Sequence, residues 1–338
     1  MRLLVTGGAG YIGSVVTSML LDAGHEVTVF DDLSRGHRDA VPPGATFVQA
    51  SLLDAAAIAD AAAGMEGAMH FAAFALVGES VANPGLYWRN NVVGSLNLLD
   101  ALRGAGVARL VFSSTCATYG IPAVVPMDET TPTQPVNPYG TSKLAVDTMI
   151  GEVCAAHGLG AVSLRYFNVA GARGPFGEDH EPETHLIPNV LRAAAGAIDH
   201  VEIYGTDYPT PDGTAVRDYI HVEDLGTAHL LAIDATRPGE HRIFNLGNGT
   251  GFSVREVIDA AREVTGLQIE AVQRPRRPGD PPALVASAGL VRKELGWTPA
   301  KPGITTMIAD AWAWHRSNPQ GYAGGAGGAG GAGGAGGE

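Results

Sequence analysis

A tyrosine and a lysine four residues apart, in Tyr139-Gly140-Thr141-Ser142-Lys143, are the pair in this chain best suited to moving a proton. At that spacing on a helix both side chains leave from one face. A neighbouring ammonium favours the phenolate and draws a pKa that starts near ~10 toward neutrality, so Tyr139 fits a general base with Lys143 as its partner. The plainer reading is a helix start marked by Pro138 with an incidental surface lysine. Upstream, Leu110-Val111-Phe112 runs into Ser113-Ser114-Thr115. A hydroxyl at a strand's carboxyl end can bind a reacting oxygen and share its proton with the base. Thr115 is the expected one, with Ser113 and Ser114 as adjacent alternatives.

The amino terminus offers a companion to that proton chemistry. The apolar run Leu3-Leu4-Val5-Thr6 turns directly into Gly7-Gly8-Ala9-Gly10-Tyr11-Ile12-Gly13 and then into a helix-like segment. Glycines at that spacing let the backbone approach a pyrophosphate, while the helix start offers unpaired N–H groups and the positive end of its dipole. A second apolar run, Glu26–Phe30, ends at Asp31. An acid there accepts from the ribose hydroxyls of a dinucleotide and repels a 2′-phosphate, which points to NAD over NADP. Asp32 adds to the repulsion, whereas Arg35 and Arg38 follow closely enough to offer a counter-charge. The cationic ring of bound NAD would further favour the Tyr139 phenolate.

These residues need a frame that brings strand ends together. The continuous apolar runs Leu3–Thr6, Glu26–Phe30, Thr46–Val48, Ala68–Phe71, Leu110–Ser113 and Ala161–Leu164 read as strands buried on both faces. Between them Ile12–Ala23, Leu53–Ala62, Leu86–Arg103 and Tyr139–His157 read as crossover helices. This is the α/β pattern of a Rossmann-type doubly wound parallel sheet, whose ligands bind at the strands' carboxyl ends. After about residue 170 the pattern becomes mixed. Helices are expected over Val222–Ala235 and Val254–Thr265, with strands over Val201–Tyr204, Arg242–Leu246 and Ile269–Val272. The expected division is 1–170 as the dinucleotide-binding part, with some later segments returning to it, and 171–322 as a smaller mixed α/β substrate lobe. The closing Ala-Gly-Gly repeat, 323–338, reads as an open coil.

Composition narrows the class. The 338 residues are 45% hydrophobic and 17% charged, with no run near the ~20 apolar residues of a membrane span. The first apolar run is broken at Gly7, too soon for a secretory signal, so a cytoplasmic protein is expected. A formal net charge of −13 argues against nucleic acid as partner. Cys116 and Cys154 make neither a disulfide framework nor a metal spacing. His180-Glu181-Pro182-Glu183-Thr184-His185 lacks the helical HExxH arrangement, because its histidines are five apart and Pro182 interrupts them. It reads as a loop, and no metal is expected.

Taken together, the glycine turn, the hydroxylated strand end and Tyr-x-x-x-Lys resemble the extended short-chain dehydrogenases/reductases. Val77-Gly78-Glu79-Ser80, Asn90-Asn91-Val92, Leu164-Arg165-Tyr166-Phe167-Asn168, Asp207–Gly213 and Val216–Val222 are similar to the 4-epimerase branch that acts on UDP-sugars. The resemblance runs to about Tyr322. It implies a cytoplasmic homodimer that interconverts UDP-galactose and UDP-glucose through oxidation at C4 by NAD, with Tyr139, Lys143 and Thr115 as the reacting set. It also implies an NAD site lined by Gly7, Gly10, Tyr11, Ile12, Gly13, Asp31, Asp32, Ser51, Leu52, Phe71, Ala72, Ala73, Asn91, Tyr166 and Phe167. Asn168, His185, Leu186, Tyr204, Arg217, Arg277, Asp280 and Leu284 would hold the UDP-hexose. Arginines suit a diphosphate, since a guanidinium grips two oxygens at once.

Three positions depart from the pattern. Ser51 stands where relatives often carry Asp against adenine, and Ala75 where some have Lys near the phosphates. Leu284 stands beside the sugar's C2 substituent, where relatives have Tyr or Cys, so N-acetylated sugars stay open. A sugar-nucleotide dehydratase would need an acid and a base after Thr115, where this chain has Cys116 and Ala117. A non-catalytic NAD-binding protein on the same fold is the alternative from another class.

Overall fold

The computed structural model describes residues 1–277 and 279–322. The Ala-Gly-Gly tail lies outside the described residues. Strands and helices alternate from the start: β1 (Arg2–Thr6), α1 (Tyr11–Asp22), β2 (Glu26–Asp31), β3 (Thr46–Gln49), α2 (Ala55–Ala62) and β4 (Gly67–His70). A helical run follows, made of α3 (Val77–Ala82), α4 (Pro84–Tyr87), a π turn over Trp88–Val93, and α5 (Gly94–Gly104). Then come β5 (Arg109–Thr115), α6 (Pro138–His157) and β6 (Gly160–Tyr166). The expected helix over Leu86–Arg103 is therefore interrupted. The π turn widens the backbone at Asn91, whose buried side chain accepts from the Phe74 N–H at 2.9 Å and donates to the Phe74 carbonyl at 3.0 Å and to Ser142 Oγ at 3.1 Å.

In the second half β7 (Asn168–Ala170), α7 (Leu186–Ala194), β8 (Val201–Tyr204), β9 (Val216–Arg217), β10 (Tyr219–His221) and α8 (Val222–Asp234) precede β11 (His241–Leu246). The chain continues through β12 (Phe252–Ser253), α9 (Val254–Thr265), β13 (Ala271–Arg274), β14 (Ala283–Leu284), α10 (Gly289–Leu295) and α11 (Ile304–Ser317). The main sheet has seven parallel strands in the order β11-β6-β5-β4-β1-β2-β3. Leu3, Leu4 and Val5 of β1, an inner strand, are fully buried, as a strand with helices on both faces requires.

β11 is the seventh strand of this sheet, pairing with β6 from His241↔Ala161 to Leu246↔Tyr166. α8 buries Leu225, Ala228 and Ala232 in the same core as Val16 and Leu20 of α1. A separate core joins Val190 and Leu191 of α7, Val257 and Ile258 of α9, and Met307 and Ile308 of α11. β13 begins two residues later than expected and pairs in parallel with β8. α7 forms despite Pro188, because its first turn tolerates a residue without an N–H. Among the described residues, no helix is long and apolar enough to cross a membrane.

The order of the sheet reverses between β1 and β4, and such a switch opens a crevice beyond the strands' carboxyl ends. Thr6 and His70 end these two strands side by side.

Candidate active site

A cleft of about 1520 Å³ runs from the glycine turn across the carboxyl ends of the sheet into the second core. Its floor carries the reacting set. Ser113 and Thr115 face the cleft, while Ser114 between them points to the other side, as alternation along a strand demands. Ser114 Oγ donates to Asp147 at 3.0 Å, and Asp147 pairs with Arg165 at 2.9 Å behind the floor. Ser113 Oγ is taken up by the Tyr166 hydroxyl. Thr115 Oγ1 accepts from the Ala117 N–H at 3.1 Å, which leaves its own hydrogen free to donate. The geometry thus separates three hydroxyls that look equivalent in the sequence.

Tyr139 and Lys143 leave the first turns of α6 toward the same floor, with Asn137 capping the helix through a 2.8 Å bond from the Gly140 N–H. Burial opposes the expected pull of the ammonium on the phenol. Burial pushes the Tyr139 phenol up to about 12, opposed by the Thr115 hydroxyl. Burial also pushes Lys143 down to about 8, with Asp147 drawing it back up. Lys143 Nζ donates to the Ser113 carbonyl at 2.9 Å and sits 4.8 Å from the centre of the Phe112 ring. Helical spacing aligned the two side chains, but desolvation dominates their energetics.

At one end of the cleft the glycine turn is packed backbone on backbone. A Cβ on Gly13 would lie 2.1 Å from the Gly7 carbonyl oxygen, and one on Gly7, at φ +76°, would lie 2.4 Å from the Ala72 nitrogen. Gly10 is different, since a Cβ there would meet only the Gly7 oxygen at 3.4 Å and would fill cleft space. Asp31 accepts from the Ala9 N–H at 3.0 Å and the Leu33 N–H at 2.9 Å, and burial pushes its carboxyl up against those bonds. Each oxygen retains capacity for one more donor. Arg35 is occupied by Glu79 at 2.6 Å, and Arg38 lies 4.4 Å over the Phe47 ring. With Arg35 paired to Glu79 and Arg38 laid against Phe47, the buried Asp31 acceptor favours NAD over a cofactor with a 2′-phosphate.

Tyr11, Ile12, Asp32, Leu52, Phe71, Ala72, Ala73, Tyr166 and Phe167 also line the cleft. Two expected cofactor residues do not. Ser51 turns its hydroxyl to the Leu53 N–H at 3.3 Å, and Asn91 stands behind the wall, holding the Phe74 segment against α6. The opposite end gathers Asn168, His185, Leu186, Tyr204, Arg217, Arg277, Asp280 and Leu284. Arg217 pairs with Asp280, and Arg277 stacks 3.9 Å over the Tyr204 ring. Cys116 and Ala117 line the floor, and burial pushes the Cys116 thiol up to about 12, so it cannot serve as the acid–base group of a dehydratase.

The sequence missed Glu178 and read Glu183 only as part of a loop; both stand in the same wall and approach His180 and His185. Crowding of acids and histidines was the visible signal. It missed Ile121 and Val136 as well, half-exposed apolar side chains at the cleft edge that no motif marks.

Residues 3–247 match the profile of the NAD dependent epimerase/dehydratase family. The chain belongs to that family. It is 55% identical over 313 residues to the UDP-glucose 4-epimerase of Corynebacterium glutamicum, covering 93% of this chain and 95% of the relative. It is 56% identical over 325 residues to that of Streptomyces lividans, with 95% and 98% covered. The solved UDP-glucose 4-epimerase of Bifidobacterium longum in complex with NAD+ and UDP superposes with a TM-score of 0.90 at 38% identity, covering 95% and 100% of the two chains. The cleft of this epimerase/dehydratase fits NAD on its own evidence. Gly10 leaves space no side chain fills, α1 begins without a side-chain cap on its N–H groups, and buried Asp31 keeps acceptor capacity.

Proposed function

We propose that this chain is an NAD-dependent UDP-glucose 4-epimerase, with Tyr139, Thr115 and Lys143 as its reacting set. The observation that carries this reading is one continuous cleft lined by Thr115 and Tyr139 between the glycine turn and a cluster of arginines. When bound, NAD supplies an acceptor for the hydrogen and electron pair of the sugar C4–H bond and gives them back. Tyr139 takes the proton of the C4 hydroxyl, and Thr115 donates to that oxygen and fixes its position. Arg217 and Arg277 hold the diphosphate while the 4-ketone turns over, and Tyr139 returns its proton on the other face. The cost of ionising a phenol pushed up to about 12 is met by positive charge at the floor, from Lys143 and from the oxidised cofactor.

The division of labour follows the two cores. Residues 1–170, with β11 and α8, serve the dinucleotide, and most of 171–322 serves the UDP-hexose. We place the protein in the cytoplasm and as a homodimer. Trp88, Val93 and Leu96 are exposed along the helical run beside α6, and one such face can be covered by a second copy. Incubating purified protein with UDP-galactose and no added cofactor should yield UDP-glucose by NMR, with NAD extractable from the protein. Absence of conversion with NAD still bound would overturn the reading in favour of a non-catalytic NAD-binding protein.

A further inference from the structure

We infer that the segment from Glu178 to His185 forms a closed site for one divalent transition-metal ion, with zinc the best fit, ligated by Glu178, His180, Glu183 and His185. One ligand atom from each of these residues lies within 4.8 Å of all the others. His180 Nδ1 is 3.2 Å from Glu178 Oε1 and 3.8 Å from Glu183 Oε2. His185 Nδ1 is 2.8 Å from Glu178 Oε1 and 3.1 Å from Glu183 Oε1. Zinc bonds of ~2.0–2.1 Å in a tetrahedron put neighbouring ligand atoms about 3.3 Å apart, the middle of that range. Two imidazoles with two carboxylates select a zinc-like ion over calcium or magnesium, which prefer oxygen alone.

The four side chains already approach one another as ion pairs, and an ion would replace those contacts at one shared centre. His180 is about a third exposed, but its Nδ1 atom is turned inward, 3.2 Å from Glu178 Oε1 and without a well-aligned hydrogen bond. Pairing of imidazolium with carboxylate would aim the N–H along that line. A lone pair facing a shared centre would leave the nitrogen as it is found. Glu178 and Glu183 are themselves buried, with side-chain exposures of 9% and 4%, and His180 and His185 are the groups that face their charge.

The other acidic and histidine cluster, His221, Glu223 and Asp310, makes the contrast. There the Lys301 ammonium already lies 2.8 Å from Asp310 and contacts Glu223, so a cation is in place. No lysine or arginine is paired with Glu178 or Glu183 among the described residues. Four protein ligands leave no open position, so the ion would be structural. It would pin the wall at the start of α7, where His185 and Leu186 face the cleft.

The test uses the full chain, stripped with a chelator, dialysed against zinc and assayed by elemental analysis. About one ion per chain is expected, and His180→Ala and Glu183→Gln should each weaken binding at least about tenfold. His221→Ala should leave the ion in place. Circular dichroism and NAD content check that each variant is folded. Cobalt on the unmodified chain gives an independent reading, with the intense visible bands of a tetrahedral ion expected. Less than a tenth of an ion per chain, retention by both cleft-wall variants, or the weak bands of octahedral cobalt would each overturn the inference.

Discussion

The two ends of the cleft recognise by different means. At the glycine end the surface is built around the backbone of the Gly7–Gly13 turn packed on Phe71 and Ala72, and its shape is fixed because a methyl at Gly13 has nowhere to go. At the arginine end the surface is side chains drawn from Asn168 to Asp280, and its charges are partnered within the protein: Arg217 with Asp280, Arg277 with the Tyr204 ring. A diphosphate must compete with Asp280 for Arg217. One end is therefore built before the ligand arrives, and the other exchanges internal partners for the ligand. Damage to the first should cost fold and cofactor together, and damage to the second should cost affinity alone.

The largest effect sharpens that contrast by removing chemistry from between the ends. Tyr139→Phe should lower kcat by about 10²- to 10⁴-fold, the usual worth of a positioned base. NAD content and UDP affinity should both stay unchanged, measured by extraction and calorimetry. Turnover within tenfold of the unmodified protein would remove Tyr139 from the role. Next comes Gly13→Ala. Overpacking typically costs ~1–3 kcal/mol, and here the obstacle is a carbonyl that no rotamer change can clear, so the upper end or more is expected. The purified variant should carry little NAD and melt at a lower temperature. Full NAD occupancy at an unchanged melting temperature would break the comparison.

The glycine end was legible for the same reason that it is rigid. Its residues are neighbours in the chain, so the turn, the helix start and Asp31 could be read as one motif. All six strands expected in the first half form; the inner ones are buried on both faces as expected, but β3, at the sheet edge, is only partly covered, with Thr46 and Gln49 exposed. The arginine end was reached only through family resemblance, since nothing in spacing links Arg217 to Asp280 or Arg277 to Tyr204. Arg242–Leu246 shows a related blindness: its pattern marks a strand but not which sheet it joins. The helical spacing of Tyr139 and Lys143 predicted their shared face but not the desolvation that opposes the phenolate, because burial is a property of the folded whole. α7 and α11 were overlooked, the first behind Pro188. Asn91 looks like a cofactor ligand in the sequence, yet its hydrogen bonds go to Phe74 and Ser142.

At the arginine end, Arg217→Ala removes charge-assisted bonds worth ~1.5–3 kcal/mol each, so UDP should bind about 10- to 100-fold more weakly. Melting temperature and NAD content should hardly move. Part of that loss comes from freeing Asp280 to repel the diphosphate. Adding Asp280→Asn to Arg217→Ala should therefore recover some affinity by calorimetry. No recovery would mean that Asp280 faces away from the phosphates, and a collapse in NAD content would erase the difference between the ends.

The smallest effect concerns Lys143, on the floor between them. Its folded pKa lies near 8, below an ordinary value of ~10.5, so the unfolded chain holds the proton more tightly than the folded one. Unfolding then takes up a proton between those two values, and this residue's contribution to stability rises with pH across that window. Below pH 8 the full cost of burying the cation is present. Lys143→Met removes the charge at similar volume, so the NAD-free variant should be more stable than the unmodified protein at pH 7, by about 1–3 kcal/mol. The gap should close as pH rises from 8 toward 10. Tyr139 acts with the opposite sign, because a phenol pushed up to about 12 destabilises the fold as pH passes 10, so the comparison belongs below that point. Urea unfolding of both proteins at pH 7, 8, 9 and 10 measures the gap. A gap that stayed constant or widened would show that Lys143 is not held below its ordinary pKa, and that the floor offsets the cost of burying its cation by other contacts.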